Sequence, residues 1–165
     1  TSSGTAALHL ALNYYKIDKY CEVLLPSFTY VATANAIKYC NSNPNFVDIE
    51  TESLGVCPKK LELYLKKIGI KKGKKLINKN TNKHIKALIV VHVFGFPAKI
   101  NEIKKICRKY NIYLIEDAAE AVGSFFNKKH LGTFGDIGIL SFNGNKTITT
   151  TKRTRPLPTF NFIYK

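Results

Sequence analysis

The chain has no methionine among its 165 residues, and acidic side chains are scarce, 11 Asp and Glu against 26 Lys and Arg. It has no run of about 18 apolar residues, the length that spans a bilayer, and no charged-then-apolar leader. No membrane partner is therefore expected. Its four cysteines, Cys21, Cys40, Cys57 and Cys107, stand far apart with no histidine at ligand spacing. That distribution argues against a metal site or a disulfide framework and makes a reducing, cytoplasmic setting the default. The absent methionine, with a start at Thr1-Ser-Ser-Gly4 that reads as the middle of a functional loop, predicts a piece of a longer chain.

What remains is 45% hydrophobic, enough for one domain with a real core. The formal charge of +15 would ordinarily point to nucleic acid. Here the excess is mostly lysine, densest between Lys59 and Lys86, among Asn and Ile rather than stacking aromatics. Solvated loops and helix faces explain it more cheaply, so no nucleic-acid partner is expected. A basic nucleic-acid-binding domain is the competing reading, and steeply salt-dependent association would be its signature. Basic charge would equally attract an anionic nucleotide substrate.

In chain order, Ala6 to Leu12 is strongly helix-forming and is preceded by Ser and Thr that can cap it, so its freed amides and dipole make an anion site. Glu22 to Pro26 reads as a short buried strand. Ser27 to Ile37 reads as a capped helix with Tyr30 in its first turn, and Asn45 to Ile49 as the next strand after a turn at Asn41-Ser-Asn-Pro44. Pro58 to Ile68 has a proline near its start and leucines at helical spacing. Residues 69–86 carry no sustained apolar period and read as an exposed insertion.

Ala87 to Val93 is a continuous apolar strand, the pattern of a strand covered on both faces. A turn at Phe94-Gly-Phe-Pro97 leads into an amphipathic helix, Lys99 to Tyr110. Ile112 to Ile115 is a buried strand ending at Glu116-Asp117, and a Gly-punctuated hairpin or crossover, Gly123 to Gly138, precedes the last strand, Ile137 to Ser141. Short apolar strands alternating with helices predict a mainly parallel, three-layer αβα sheet, with ligands outside the carboxyl ends of its strands.

Asp117 and Lys146 each stand at such a strand exit. Taken singly, the acid caps a following helix and the lysine is solvated. Together with an anion-ready helix start near Gly4 they are the parts a pyridoxal phosphate (PLP) site needs. A desolvated lysine amine forms a Schiff base with an aldehyde cofactor, and a carboxylate beside the pyridine nitrogen keeps the ring protonated so that it accepts electrons. At ~4 Å and an effective dielectric of ~20, that ion pair is worth roughly 4 kcal/mol before desolvation. Backbone amides and hydroxyls at Gly4, Thr5 and Ser141 could take the phosphate. His9 and His92 read as structural histidines, and His130 and Asp136 as surface-turn residues.

Ser3-Gly-Thr-Ala-Ala-Leu8, Pro26-Ser-Phe-Thr-Tyr30, Val91-His-Val-Phe-Gly-Phe-Pro97, Glu116-Asp-Ala-Ala-Glu120 and Ser141-Phe-Asn-Gly-Asn-Lys-Thr-Ile-Thr-Thr150 resemble, in order and spacing, the DegT/StrS family of PLP-dependent sugar aminotransferases. The resemblance implies a fold-type I large domain over residues 1–150 and a homodimer with shared active sites. It also implies amino transfer, usually from glutamate, to a nucleotide-linked keto sugar for amino-sugar and surface-polysaccharide synthesis.

By the same resemblance Lys146 is the cofactor lysine, Asp117 the partner of the pyridine nitrogen, and Tyr30 the ring stacked on the cofactor. Gly4, Thr5 and Ser141 fall at the phosphate and Glu120 near the phenolic oxygen. Glutamate at that last position is similar to the perosamine-synthase and legionaminic-acid-pathway branch. The basic tail, residues 151–165, replaces the family's Gly-rich continuation and reads as foreign to its fold. A catalytically incompetent piece of such an enzyme is the alternative.

Overall fold

The computed structural model describes residues 1–143, Lys146, and the backbone of Phe162–Tyr164. The apolar segments form one sheet. Strands β1 (Cys21–Pro26), β2 (Asn43–Val47), β5 (His84–Val91), β6 (Tyr113–Asp117) and β9 (Ile137–Ile139) run parallel in the order β9-β6-β5-β1-β2. At one edge β10 (Phe162–Tyr164) pairs antiparallel with β9. The other expectations for the tail fall outside the described residues.

The two faces of the sheet bury different side chains, because successive residues of a strand point to opposite faces. Val23, Leu25, Ala87, Ile89 and Ile115 pack with α1 (Gly4–Tyr14) and α2 (Val31–Tyr39). Leu24, Leu88, Val90 and Leu114 pack with α3 (Pro58–Ile68) and α4 (Ile100–Tyr110). The result is the three-layer αβα arrangement expected from the sequence, and the helix-covered β5 is buried on both faces. Each fully buried Leu or Ile contributes about 1.5–3 kcal/mol over leaving it exposed, so this double core dominates folding.

Several local expectations are corrected. Residues 69–86, read as an exposed insertion, are in part built into the sheet: β3 (Gly69–Lys72) and β4 (Lys75–Asn78) form a hairpin, and β4 joins the start of β5. Gly73, with φ at +59°, turns the hairpin, while Leu76 and Asn78 are buried beneath a lysine-rich exterior. Asn78 is drawn in because its amide donates to the buried Glu22 carboxylate at 2.9 Å, beside a second donor, Asn45, at 3.0 Å.

The turn at residues 41–44 is shorter than read, since β2 already includes Pro44, tolerated there because β2 is an edge strand needing no donor on its outer side. The α2 helix begins only at Val31, so Tyr30 occupies its N-cap in extended conformation rather than its first turn. No helix follows Asp117: residues 118–122 form turns, with the Ala119 amide donating to Asp117 Oδ1 at 3.2 Å. The Gly-rich connection does contain a hairpin, β7 (Phe125–Phe126) with β8 (Lys129–His130).

Candidate active site

Because α1 leads directly into β1 and packs back along the sheet, its N-terminus lies at the carboxyl edge of the strands. Ser3 caps it, its hydroxyl accepting from the Ala6 amide at 3.1 Å. The amides of Gly4 and Thr5, in the first turn, have no intrahelical acceptor and face the same edge. Ser141 is buried two residues beyond β9. Tyr30 follows β1 and is 79% exposed, so its ring is held by no packing of this chain.

Asp117 is the last residue of β6 and points to the α1/α2 side, in the same alternation as Ile115. Thr33, on α2, donates its hydroxyl to Asp117 Oδ2 at 3.2 Å and itself pairs with the Thr29 hydroxyl at 2.9 Å. Burial pushes the Asp117 carboxyl above its ordinary value; the Ala119 amide, the Thr33 hydroxyl and the nearby Lys146 ammonium pull it down without cancelling that rise. A carboxylate so placed gains from any further cation or donor brought to it.

Lys146 lies at the same edge. Its Nζ donates to Glu120 Oε1 at 3.2 Å, while Glu120 Oε2 accepts the Phe94 amide at 3.0 Å. Phe94 sits in the left-handed region, φ 52° and ψ 24°, within a 3-10 turn, Val93–Gly95. Gly95 is required there, since a Cβ would come within 2.9 Å of the Glu120 carbonyl oxygen and φ is +81°. The structure thus brings Asp117, Glu120 and Lys146 together and sets the α1 start, Ser141 and Tyr30 on the same edge of the sheet.

His92 is satisfied, as expected for a structural histidine. Its Nδ1 accepts the Ala98 amide at 3.2 Å, which puts the proton on Nε2, 2.9 Å from Glu116 Oε2. His130 accepts the Gly123 amide, and Asp136 is an exposed turn residue whose Oδ2 accepts the Leu114 amide at 2.7 Å. Sequence reasoning missed Thr33 and the buried Glu116. The only signals for them were a Thr at helical spacing from Thr29 and a second acid next to Asp117. Among the described residues there is no cluster of metal-ligating side chains, and no helix is long and apolar enough to cross a membrane. The four cysteines are free, with burial pushing Cys40 to about 11 and Cys107 to about 12.

A parallel αβα sheet with an acid, an amine and a capped helix start at its carboxyl edge defines an α/β protein with a ligand site at its strand ends. The chain belongs to the DegT/DnrJ/EryC1/StrS aminotransferase family, whose profile matches residues 1–152. It is 42% identical over 149 residues to GDP-perosamine synthase of Vibrio cholerae, covering 90% of this chain and 36% of that protein. Against the corresponding protein of Caulobacter vibrioides the identity is 39%, with the same coverage. The chain therefore spans about a third of the length of these curated relatives. Among solved structures, a DegT DnrJ EryC1 StrS aminotransferase from Brucella abortus superposes with a TM-score of 0.79 at 31% identity, covering 88% of this chain and 36% of the other. NtdA from Bacillus subtilis, solved with bound cofactor PMP, gives 0.73 at 28% identity over 90% of this chain and 30% of its own.

Proposed function

We propose that the protein carrying this chain transfers an amino group to a nucleotide-linked keto sugar, with PLP as cofactor and glutamate as donor. The observation that carries this reading is the placement of buried Asp117 and Lys146 at one edge, the lysine lowering the acid that burial raises. The donor set fits PLP. Asp117 has spare acceptor capacity for a ring N–H, Gly4 and Thr5 offer amides and Ser141 a hydroxyl for the phosphate, and Tyr30 leaves a ring free to lie against the cofactor.

When bound, PLP supplies an aldehyde that condenses with amines and a protonated ring that accepts electrons. Asp117 would hold the proton on the ring nitrogen. Lys146 Nζ would take the proton from the amino donor's Cα and deliver it to the carbon that came from the cofactor's aldehyde, and would run the same transfer in reverse for the sugar. Glu120, which accepts from Lys146 Nζ, would stand near the phenolic oxygen. The order of the two halves makes the kinetics ping-pong.

The curated relatives named GDP-perosamine synthase support a GDP-linked sugar as the class to try first. Exposed Phe28, Tyr30, Val31, Phe94 and Phe96 give the carboxyl edge an apolar rim, which supports a homodimer in which a second copy covers it. The test is incubation of the protein with PLP, glutamate and a GDP-linked keto sugar, followed by mass spectrometry of the products. Stoichiometric 2-oxoglutarate and aminated sugar are expected. PLP uptake without either product, for any nucleotide-linked keto sugar supplied, would overturn the substrate assignment.

A further inference from the structure

Next to Asp117, on the opposite face of β6, lies a second acid with no assigned role. Glu116 is 0% exposed and its partner His92 is 1% exposed. A buried charge costs several kcal/mol unless its surroundings are matched to it, and here they are. Glu116 Oε2 accepts from His92 Nε2 at 2.9 Å and from the Gly132 amide at 2.9 Å, while Oε1 accepts the Gly135 amide. Burial alone would raise this carboxyl; those donors bring it below its ordinary value. Glu116 is therefore an anion with three donors aimed at it.

Those donors belong to two segments, the turn after β5 and a glycine loop. The glycine loop, residues 132–135, is seated directly on the sheet: a Cβ at Gly138 would come within 1.8 Å of the Gly132 carbonyl oxygen, and one at Gly135 within 2.6 Å of that of Leu114. Glu116 ties this loop to the turn that follows β5, which His92 opens and Ala98 closes. The turn after β5 also holds the backbone of Asp117, the His92 amide donating to its carbonyl at 3.1 Å, and the next amide, that of Ala118, donates to the Ile139 carbonyl of β9 at 2.9 Å. By contrast, among the described residues the Asp117 side chain has two bonds, both at 3.2 Å. Its placement comes from its backbone more than from its own contacts.

We propose that Glu116 and His92 are positioning residues for Asp117, fixing the height and direction at which its carboxylate meets the ligand at the sheet edge. The inference rests on the reading of Asp117 as the cofactor's partner, and its test separates the two. Glu116→Gln keeps the shape but presents an N–H to donors. His92→Ala removes the bridge, and His92→Gln restores a donor near the place of Nε2.

Three quantities are read on each variant after circular dichroism has shown it folded: PLP dissociation constant, visible absorbance maximum of bound PLP, and hydrogen exchange of the Ala119 amide in cofactor-free protein. Glu116→Gln and His92→Ala are expected to weaken PLP binding about tenfold, the lower end of what outer partners exert on ligand-holding groups at metal sites. They are also expected to shift the absorbance and to speed exchange at Ala119, with His92→Gln recovering most of each change. A folded Glu116→Gln or His92→Ala protein with wild-type affinity, spectrum and Ala119 exchange would overturn the proposal, whatever its melting temperature. If Glu116→Gln does not fold, the His92 pair decides. If wild type takes up no PLP, the functional reading fails, and Ala119 exchange still tests the positioning.

Discussion

At the carboxyl edge of the sheet two acids are buried and each has specific partners: Asp117 with Thr33 and Ala119, Glu116 with His92 and two glycine amides. At the amino edge, charge is plentiful and exposed. Lys71, Lys72, Lys74 and Lys75 crowd the hairpin tip, and the ion pairs nearby, Lys109 with Glu62 and Lys66 with Glu62, are half in water. Exposed pairs of that kind contribute about 0–1 kcal/mol, whereas removing one partner of a buried, hydrogen-bonded charge costs about 3–5 kcal/mol. The net charge of +15 thus says little about the buried acids at the other end.

The comparison can be broken most severely at Lys146. Lys146→Ala is expected to lower turnover on the order of 10³-fold or more while leaving the fold intact, and steady-state assays with matched circular dichroism check it. Next in size is the core between the edges. Leu88→Ala should cost about 2–5 kcal/mol in urea unfolding, against no more than about 0.5 kcal/mol for Lys74→Ala at the hairpin tip. Equal costs would remove the distinction.

A subtler contrast separates the adjacent acids. The Asp117 carboxyl is raised in the folded state. The folded protein therefore binds that proton more tightly than the unfolded one, and stability is lost as pH rises from the ordinary carboxylate value, 3.8, through the raised one. The Glu116 carboxyl is lowered from 4.5, so its contribution is present above that value and is lost as pH falls through the lowered one. In cofactor-free protein Asp117→Asn should therefore gain stability at neutral pH, and Glu116→Gln should lose stability there. Urea titrations at a series of pH values measure both slopes.

Much of this was legible in the sequence, for physical reasons. Buried parallel strands announce themselves as unbroken apolar runs, so β5 and β6 were readable, as were α3 and α4 from leucine and isoleucine spacing. The hairpin at residues 69–78 was not, because four exposed lysines mask the alternation of Leu76 and Asn78. Its anchor, Glu22, lies far away in sequence. Asp117 and Lys146 stand out in the sequence because a PLP site needs both an acid and an amine. Thr33 and Glu116 were not, because their partners are set by tertiary packing that no local pattern encodes. After Asp117 the carboxylate accepts the Ala119 amide as a helix cap would, but the chain continues in successive turns, Ala121 amide to Ala118 carbonyl and Ser124 amide to Ala121 carbonyl, and a left-handed Gly123, φ +82°, follows.

The central claim is that Lys146 and Asp117 are opposite poles of one cofactor site. Borohydride reduction of the protein incubated with PLP, followed by peptide mass mapping, tests it most directly. The account predicts a pyridoxyl mass increment on Lys146 in wild type and its strong reduction in Asp117→Ala. A label spread over other lysines, or one on Lys146 that is indifferent to Asp117, would contradict it.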